Sequence, residues 1–255
     1  MEIIRHKIID STNDEAQRII SLNKNQEPKD FIIRADFQTK GRGQRGNTWN
    51  SLNSENLMFS YVFYPQNLAV LNQFLISQVV SFSIVEYLKS KNINNVSIKW
   101  PNDIYIGMHK ICGILIENTV LGKNIKSCTI GIGLNVNQTI FPENLPNPIS
   151  MANISKIKYN LDTEFSQIIE ILQKNIQTLT VENQKEIKQN YLNNLLGLNK
   201  TLIYKSKEGI FKGNIIDVNE NGYISIKNID TNITKIYDFN EISLVKPQMF
   251  QKSQY

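Results

Sequence analysis

The sequence predicts an α/β protein: a mixed β-sheet flanked by helices, followed by a small β-domain. From residue 71 to residue 85, apolar positions recur at helical spacing, and before residue 197 such segments alternate with apolar runs of strand length. After Gly197 the pattern changes to short strands separated by turns, as at residues 219–222. We therefore divide the chain into a larger domain, residues 1–197, and a small domain, residues 198–255.

The predicted elements of the larger domain follow from periodicity and capping. Ser11 can cap a helix because its hydroxyl can accept from the free backbone N–H groups of the first turn. That helix is predicted to run to about residue 23, and a broad apolar face on the helix that starts at residue 71 predicts that a sheet covers it. Strands are predicted at residues 3–9, 31–37, 57–63, 96–100, 103–106, 110–118 and 126–136, and two later helices at 163–179 and 186–196.

Composition is that of an ordinary globular protein. The chain has 255 residues, is 41% hydrophobic and carries a formal net charge of +5 from scattered basic residues, which is weak support for nucleic-acid binding. Its start lacks the apolar stretch of a secretory signal, and no run is long enough to cross a membrane. Cys112 and Cys128 lie in apolar runs, which favours buried thiols over a disulfide and predicts a cytoplasmic protein.

Polar residues interrupt a predicted buried hairpin at residues 99–117, KWPNDIYIGMHKICGILIE. A lysine within an apolar strand costs free energy unless an anion meets it. Lys99, Asp103 and Lys110 are therefore candidates for a charged cluster around a ligand. The alternative is that Lys110 reaches solvent from a strand end, and spacing alone favours neither.

The segment Gly41-Arg-Gly-Gln-Arg-Gly46 spells the dinucleotide fingerprint G-x-G-x-x-G. That fingerprint requires a helix to start within it, whereas here the residues at 47–51 lead into another strand, so we disfavour it. A structural glycine turn is the simpler alternative, but it leaves the crowded Lys40, Arg42 and Arg45 unexplained. Glycines let a backbone approach an anion, so we expect this loop to become ordered over a bound ligand.

A third segment, Gly131-Ile-Gly-Leu-Asn-Val-Asn137, alternates with period 2. Its apolar side chains are predicted to face the core, while glycines and the amides of Asn135 and Asn137 face the other way. Such a face is a floor on which a flat ligand can lie. Close packing against another backbone is the alternative explanation for the glycines.

Together these segments resemble the biotin–protein ligases. KWPNDI followed by K-x-x-G-I-L-x-E is similar to the family signature, and residues 38–49 are similar to its biotinyl-adenylate loop. Residues 131–137 match its G-x-G-x-N-x-N strand, and Ser11-Thr-Asn13 matches its S-T-N. The resemblance implies that the small domain is SH3-like. Because the first strand begins at residue 3, the chain resembles the short, monofunctional type that has no DNA-binding domain. We therefore expect no direct DNA binding.

The resemblance implies ATP-dependent biotinylation of a lysine on a biotin carboxyl carrier domain through biotinyl-5′-AMP, with Mg²⁺ as a cofactor. It assigns Arg42 to the biotin carboxylate, Trp49 to the adenine, Asn135 to the nucleotide side and Asp103 to the incoming lysine amine. A core position for Trp49 and a capping role for Ser11 are the structural alternatives. The implied catalytic residues are Arg42, Lys110 and Asp103; the biotin-binding residues are Ser11, Thr12, Asn13, Gln38, Arg42, Gly43, Gln44, Lys110 and Gly113; the nucleotide-binding residues are Arg45, Trp49, Lys99, Asn102 and Asn135.

The sequence departs from the family pattern at Gln44 and Asn47, where many members carry basic residues. The resemblance therefore implies no charged phosphate contact from either position, and Arg45 is the candidate to compensate. His6 and His109 lack partners at ligand spacing, so we predict no zinc site. Two alternatives remain, a lipoate ligase of the same fold and a non-catalytic biotin-binding regulator. Exposed edge strands could pair between two copies of the chain, so a homodimer is a further alternative.

Overall fold

A computed structural model describes residues 1–23 and 27–245. The main sheet has seven strands in the order β1-β2-β3-β7-β6-β5-β4. The β1–β2 pair is parallel and the other pairs are antiparallel, so the sheet is mixed, as predicted. Its strands are β1 (Glu2–Ile9), β2 (Phe31–Gln38), β3 (Leu57–Phe63), β4 (Val96–Lys99), β5 (Asp103–Ile106), β6 (His109–Leu121) and β7 (Asn124–Leu134).

Helices cover the sheet and account for its apolar strands. The helices are α1 (Thr12–Leu22), α2 (Phe74–Ser90), α3 (Met151–Ser155), α4 (Leu161–Ile176) and α5 (Gln184–Asn193). Helix α1 contacts β2, β3 and β7, whereas α2 contacts β4, β5, α4 and α5. Every residue of β3 is buried, because the sheet is covered where β3 lies. Helix α2 is buried around most of its circumference, which confirms the predicted broad apolar face.

The predicted elements agree with the structure except at some ends. The helix predicted from Leu71 begins at Phe74, because backbone bonds from Val70 to Lys123 and from Ile125 to Leu68 hold the preceding segment beside the β6–β7 hairpin. Leu71 is consequently 77% exposed. The strand predicted to residue 136 ends at Leu134, and the strand predicted to residue 100 ends at Lys99. Helix α3, of five residues, was not predicted.

A second, antiparallel sheet of five strands follows, in the order β11-β10-β9-β8-β12. Its strands are β8 (Thr201–Ser206), β9 (Gly209–Val218), β10 (Ile224–Asn228), β11 (Thr234–Tyr237) and β12 (Ile242–Leu244). Its buried side chains, including Tyr204, Ile215 and Ile224, belong to the same continuous apolar core as the main sheet. The division of the chain at residue 197 stays a prediction, and the end of the predicted small domain, residues 246–255, lies outside the described residues.

Trp100 joins the two sheets. Its indole Nε1 donates to the carbonyl of Gly222 at 2.8 Å, in the turn before β10. A Cβ on Gly222 would lie 2.6 Å from the Phe74 ring, so this turn is packed directly on the start of α2. The second sheet is thereby held against the segment that carries Asp103.

Cys112 and Cys128 are buried and free, as predicted, and burial raises the pKa of both thiols. Within residues 1–23 and 27–245, no helix is long and apolar enough to span a membrane.

Candidate active site

A cavity of about 270 Å³ lies between the main sheet and the second sheet. The start of α1, the glycine loop, the turn before β5 and the central part of β6 and β7 form one side, and side chains of the second sheet form the other. Of the residues predicted for the site, the cavity brings together Ser11, Thr12, Asn13, Gln38, Arg42, Gly43, Gln44, Arg45, Trp49, Lys99, Asn102, Asp103, Lys110 and Gly113. Asn135 is not among its lining residues.

One end of the cavity is uncharged and rich in hydrogen-bonding groups. The backbone N–H and the hydroxyl of Thr12 both donate to Oε1 of Gln38, at 2.7 and 3.1 Å. Ser60 Oγ lies 2.7 Å from Thr12 Oγ1 and 2.6 Å from Asn13 Oδ1. Ser11 also caps α1, with its hydroxyl 3.4 Å from the N–H of Asp14. Ser11 can therefore cap α1 and line the cavity at the same time.

The floor of the cavity is bare backbone where β6 and β7 pair. Gly113 and Gly133 are directly opposite each other, and the Trp49 indole lies over both. A Cβ would lie 2.9 Å from the ring at Gly113 and 2.7 Å from Nε1 at Gly133. At Gly131 it would meet Asn13, 3.0 Å from Cγ. The glycines therefore permit close approach of the Trp49 and Asn13 side chains, and not of another backbone as the alternative explanation required.

The glycine loop is a small hairpin with defined hydrogen bonds. Trp49 N donates to the carbonyl of Gly41 at 2.9 Å, and Gly43 N donates to that of Asn47 at 2.7 Å. No helix of dinucleotide-binding length starts here, since the tip at Gln44–Gly46 is one short 3-10 turn. The basic residues of the loop have partners within the chain: Lys40 pairs with Asp10 at 2.8 Å, and Arg42 and Arg45 are also paired. That the loop becomes ordered over a bound ligand stays a prediction.

Arg42 is held by two carboxylates. Its guanidinium donates to Glu117 Oε1 at 2.5 Å and to Asp14 Oδ1. The bond to Glu117 contributes most to raising the pKa of Arg42, although burial opposes it. Glu117 also accepts from Nδ2 of Asn13 at 2.7 Å. The cation is therefore attached to the same network as the uncharged end of the cavity.

A second charged group lies at the turn between β4 and β5. Lys110 Nζ is 2.7 Å from Asp103 Oδ1, and Lys99 stands opposite Asp103 across the strand pair. Burial lowers the pKa of Lys99, Asp103 raises it, and the positive charges of Lys110 and Arg45 lower it further. Lys110 Nζ also lies 5.9 Å from the centre of the Trp49 ring. The predicted charged cluster is thus present, and the anion that meets Lys110 within the chain is Asp103.

Two amides that we expected on the cavity face have structural partners instead. Asn135 donates to the carbonyl of Ile149 at 3.0 Å, and Asn137 exchanges two hydrogen bonds with the backbone of Tyr159. Both are buried, and they hold the segment after β7 against the sheet. The strand ends at Leu134, so the alternation that placed Asn135 beside the glycines does not continue to it.

Several cavity or network residues were missed from the sequence. Ser60 had a signal, since it is the one small polar residue among the aliphatic and aromatic residues of β3. Glu117 belongs to the matched motif but was not assigned a role, and Asp14 was treated only as a helix residue. Phe239 and the other second-sheet residues of the cavity carried no local signal, because only the packing of two sheets brings them to the site.

Residues 6–135 match the model of the biotin/lipoate A/B protein ligase family. This match covers about half of the chain and includes the loop, the charged turn and the glycine floor. The chain belongs to this family.

Other comparisons agree with that membership and point to its biotin branch. The chain is 25% identical over 238 residues to the bifunctional ligase/repressor BirA of Bacillus subtilis, covering 92% of this chain and 72% of that protein. It is 30% identical over 129 residues to the biotin–[acetyl-CoA-carboxylase] ligase of Paracoccus denitrificans, covering 50% of this chain and 51% of that protein. A biotin protein ligase from Aquifex aeolicus, solved in complex with biotin and ATP, superposes with a TM-score of 0.77 at 26% identity, covering 96% of this chain and 99% of that one.

We predict that alanine at Gly133 and alanine at Gly131 have different effects in this ligase-family enzyme. Gly133→Ala should displace the Trp49 indole, which is attached to a surface loop, so acrylamide quenching of tryptophan should increase while the melting temperature changes little. Gly131→Ala should lower the free energy of unfolding by about 1–3 kcal/mol, because Asn13 is held by Ser60 and Glu117 and cannot yield. Equal losses of stability at both positions would contradict this account of the floor.

Proposed function

We propose that this protein attaches biotin to a lysine of a biotin carboxyl carrier domain in two steps, through biotinyl-5′-AMP. The observation that carries the proposal is the set of groups that line one cavity. They are an uncharged hydrogen-bonding group around Thr12, a glycine floor under an aromatic ring, and four cations, Arg42, Lys110, Lys99 and Arg45. A ligand that fits this set has a neutral polar head, a carboxylate and an adjacent nucleotide phosphate.

The uncharged end suits a ureido ring. Thr12, Gln38 and Asn13 line the cavity and supply both donors and acceptors. Their hydrogen bonds to one another and to the buried Ser60 fix their orientation before a ligand arrives. The partly exposed carboxylate of Glu117, which accepts from Asn13, is neutralised by Arg42, so this end carries no free charge that would oppose a neutral ring. This arrangement supports biotin recognition through Ser11, Thr12 and Gln38.

In the first step a carboxylate oxygen of biotin attacks the α-phosphorus of ATP, and pyrophosphate leaves. In the second step a lysine amine of the acceptor attacks the acyl carbon of the mixed anhydride. The C–O bond to AMP breaks, AMP leaves with its electron pair, and the amine loses a proton. Neither step needs a nucleophile from the enzyme, so catalysis would come from positioning and neutralisation of charge.

Cations are the groups that the first step needs, because two anions must approach each other. Arg42 can take the biotin carboxylate, since its planar guanidinium binds carboxylates with two parallel hydrogen bonds. Lys110 can stabilise the negative charge that develops on the α-phosphate, and its contact with Asp103 keeps it in place before ATP binds. Lys99 and Arg45 add positive charge on the nucleotide side.

Mg²⁺ completes the proposed cofactor set and would neutralise the departing pyrophosphate. Magnesium sites of this kind use one or two carboxylates together with substrate phosphates. Asp103 is the carboxylate that lines the cavity, and no cluster of three or more potential metal ligands occurs in the described ranges. These residues fit an ion held mainly by the ATP phosphates.

Asp103 is also the group proposed to orient the acceptor lysine. It lies at the start of β5, one quarter exposed, and can exchange its partner Lys110 for an incoming ammonium group. Release of Lys110 to the phosphate would leave Asp103 free to accept the proton of the attacking amine.

A lipoate ligase of the same fold and a non-catalytic biotin-binding regulator are the two alternatives. Lipoate lacks the ureido ring that the buried hydrogen-bonding end suits. A regulator needs no cation at the α-phosphate, whereas Lys110 and Arg42 are retained. Both differences favour biotin ligation, and one assay separates all three functions.

We predict that incubation with ATP, Mg²⁺, biotin and a carrier domain adds one biotin to one carrier lysine, as detected by mass spectrometry. Without the carrier, pyrophosphate should appear in a stoichiometric burst and biotinyl-AMP should stay bound. Labelling with lipoate in place of biotin would identify the rival ligase. Biotin binding without pyrophosphate release would identify the regulator.

We further predict that Lys110→Ala lowers the rate of biotin-dependent pyrophosphate release by an amount equivalent to about 2–4 kcal/mol in the transition state. The matched control is Lys123→Ala, which removes an exposed lysine from the β6–β7 hairpin. Melting temperature should be unchanged in both variants. If Lys110→Ala is as active as the control, Lys110 only extends from the strand to solvent.

A further inference from the structure

The glycine loop is attached to the second sheet by Arg45. The guanidinium of Arg45 donates to the backbone carbonyl of Phe239, 194 residues away in the sequence. The same guanidinium lies over the Phe239 ring, 5.7 Å from its centre. Phe239 lies between β11 and β12 and lines the cavity.

The backbone at this contact is in an unfavourable conformation. Arg45 has φ 57° and ψ 40°, in the left-handed region that a residue with a Cβ rarely adopts. Gly46 follows with φ 75°. Such a conformation persists when surrounding contacts hold it, and the contact with Phe239 is the one that reaches across to the other sheet.

Phe239 also contacts the charged turn. Its ring lies 5.9 Å from that of Trp100, which precedes Pro101 and the segment carrying Asp103. Trp100 is in turn anchored to Gly222 of the second sheet. Phe239 therefore lies between the loop that carries Arg42 and Trp49 and the turn that carries Asp103.

Repulsion from neighbouring cations works against this position of Arg45. Its positive charge and that of Lys110 both lower the pKa of the half-buried Lys99, so three cations lie near one another. The carbonyl and the ring face of Phe239 supply the attraction that offsets this repulsion. The contact keeps a mutually repelling group of cations together at the nucleotide end of the cavity.

We propose that Phe239 and Arg45 form a latch, in which Phe239 is a positioning residue that holds the glycine loop closed over the cavity. The second sheet is then part of the catalytic unit, because it sets how often the loop opens and how fast biotinyl-AMP escapes. The effect on the adenylate rests on the function proposed above. The effect on the loop does not.

The test combines Arg45→Ala, Phe239→Ala and the double variant with hydrogen–deuterium exchange of residues 41–49, measured on the full chain without added ligand. Loss of a cation–ring contact should raise exchange in this loop about two- to five-fold in Phe239→Ala. Arg45→Ala, which also loses the hydrogen bond to the carbonyl, should raise it about ten-fold or more. The double variant should exchange no faster than Arg45→Ala, because both substitutions break one contact.

The release rate of biotinyl-AMP, followed by filter binding, should increase in the same order. Ile236→Ala is the matched control, since Ile236 is 62% exposed on neighbouring β11, and it should leave both measurements unchanged. Phe239→Leu keeps the apolar packing but removes the aromatic face. If faster exchange throughout the second sheet shows that Phe239→Ala unfolds this sheet, the exchange of the loop in Phe239→Leu is used instead.

Unchanged exchange of the loop in both Phe239 variants would overturn the latch. It would also be overturned if the fold-increase in exchange of the double variant equalled the product of the fold-increases of the two single variants. If the wild-type protein makes no adenylate, the proposed function fails. The latch is still decided by exchange.

Discussion

Pairing of the cavity's cations with the chain's own carboxylates is the interaction on which the site depends. Arg42 is held by Glu117 and Asp14, and Lys110 by Asp103. The side chains of Arg42 and Lys110 are 40% and 29% exposed, and the carboxylates hold both cations in defined positions at the cavity before any substrate arrives. These carboxylates come from α1, β5 and β6: β5 and β6 are neighbouring strands of the main sheet, and α1 packs on that sheet.

The pairing has a consequence for binding. An anionic substrate must take over a cation that already has a partner, so charge alone gains little free energy. Selectivity then comes from groups that only the correct ligand satisfies. The buried hydrogen-bonding cluster around Thr12 and Asn13 and the glycine floor under Trp49 are such groups.

The second sheet enters this arrangement through packing rather than through charged residues. Its core side chains are continuous with those of the main sheet, and Trp100 and Phe239 connect it to the charged turn and to the glycine loop. A domain that appears to be an appendage in the sequence therefore forms one wall of the cavity.

Local patterns were sufficient to predict most of the main sheet. The strand at residues 57–63 was predicted with its observed ends because it is apolar on both faces and bounded by polar residues. Helix α3 was missed because five residues give no periodicity, although the capping box between Ser150 and Asn153 was a usable signal.

Most of the motif residues come together at one cavity, because four of the segments that converge there are the ones that carry unusual residues. The partners of those residues could not be predicted in the same way. Asn135 was expected beside Gly133, but the strand ends between them, and a hydrogen bond to Ile149 takes its amide. The roles of Glu117, Asp14 and Phe239 depend on contacts between distant segments, which periodicity does not encode.

The central claim is that Arg42 passes from Glu117 to the substrate carboxylate. Titration calorimetry of Glu117→Gln with biotin and with its uncharged methyl ester tests it directly, since glutamine still accepts a hydrogen bond from Asn13. The account predicts several-fold tighter binding of biotin to the variant, because a competing charge is gone, and no change for the ester. Unchanged or weaker binding of biotin, or equal gains for both ligands, would contradict it.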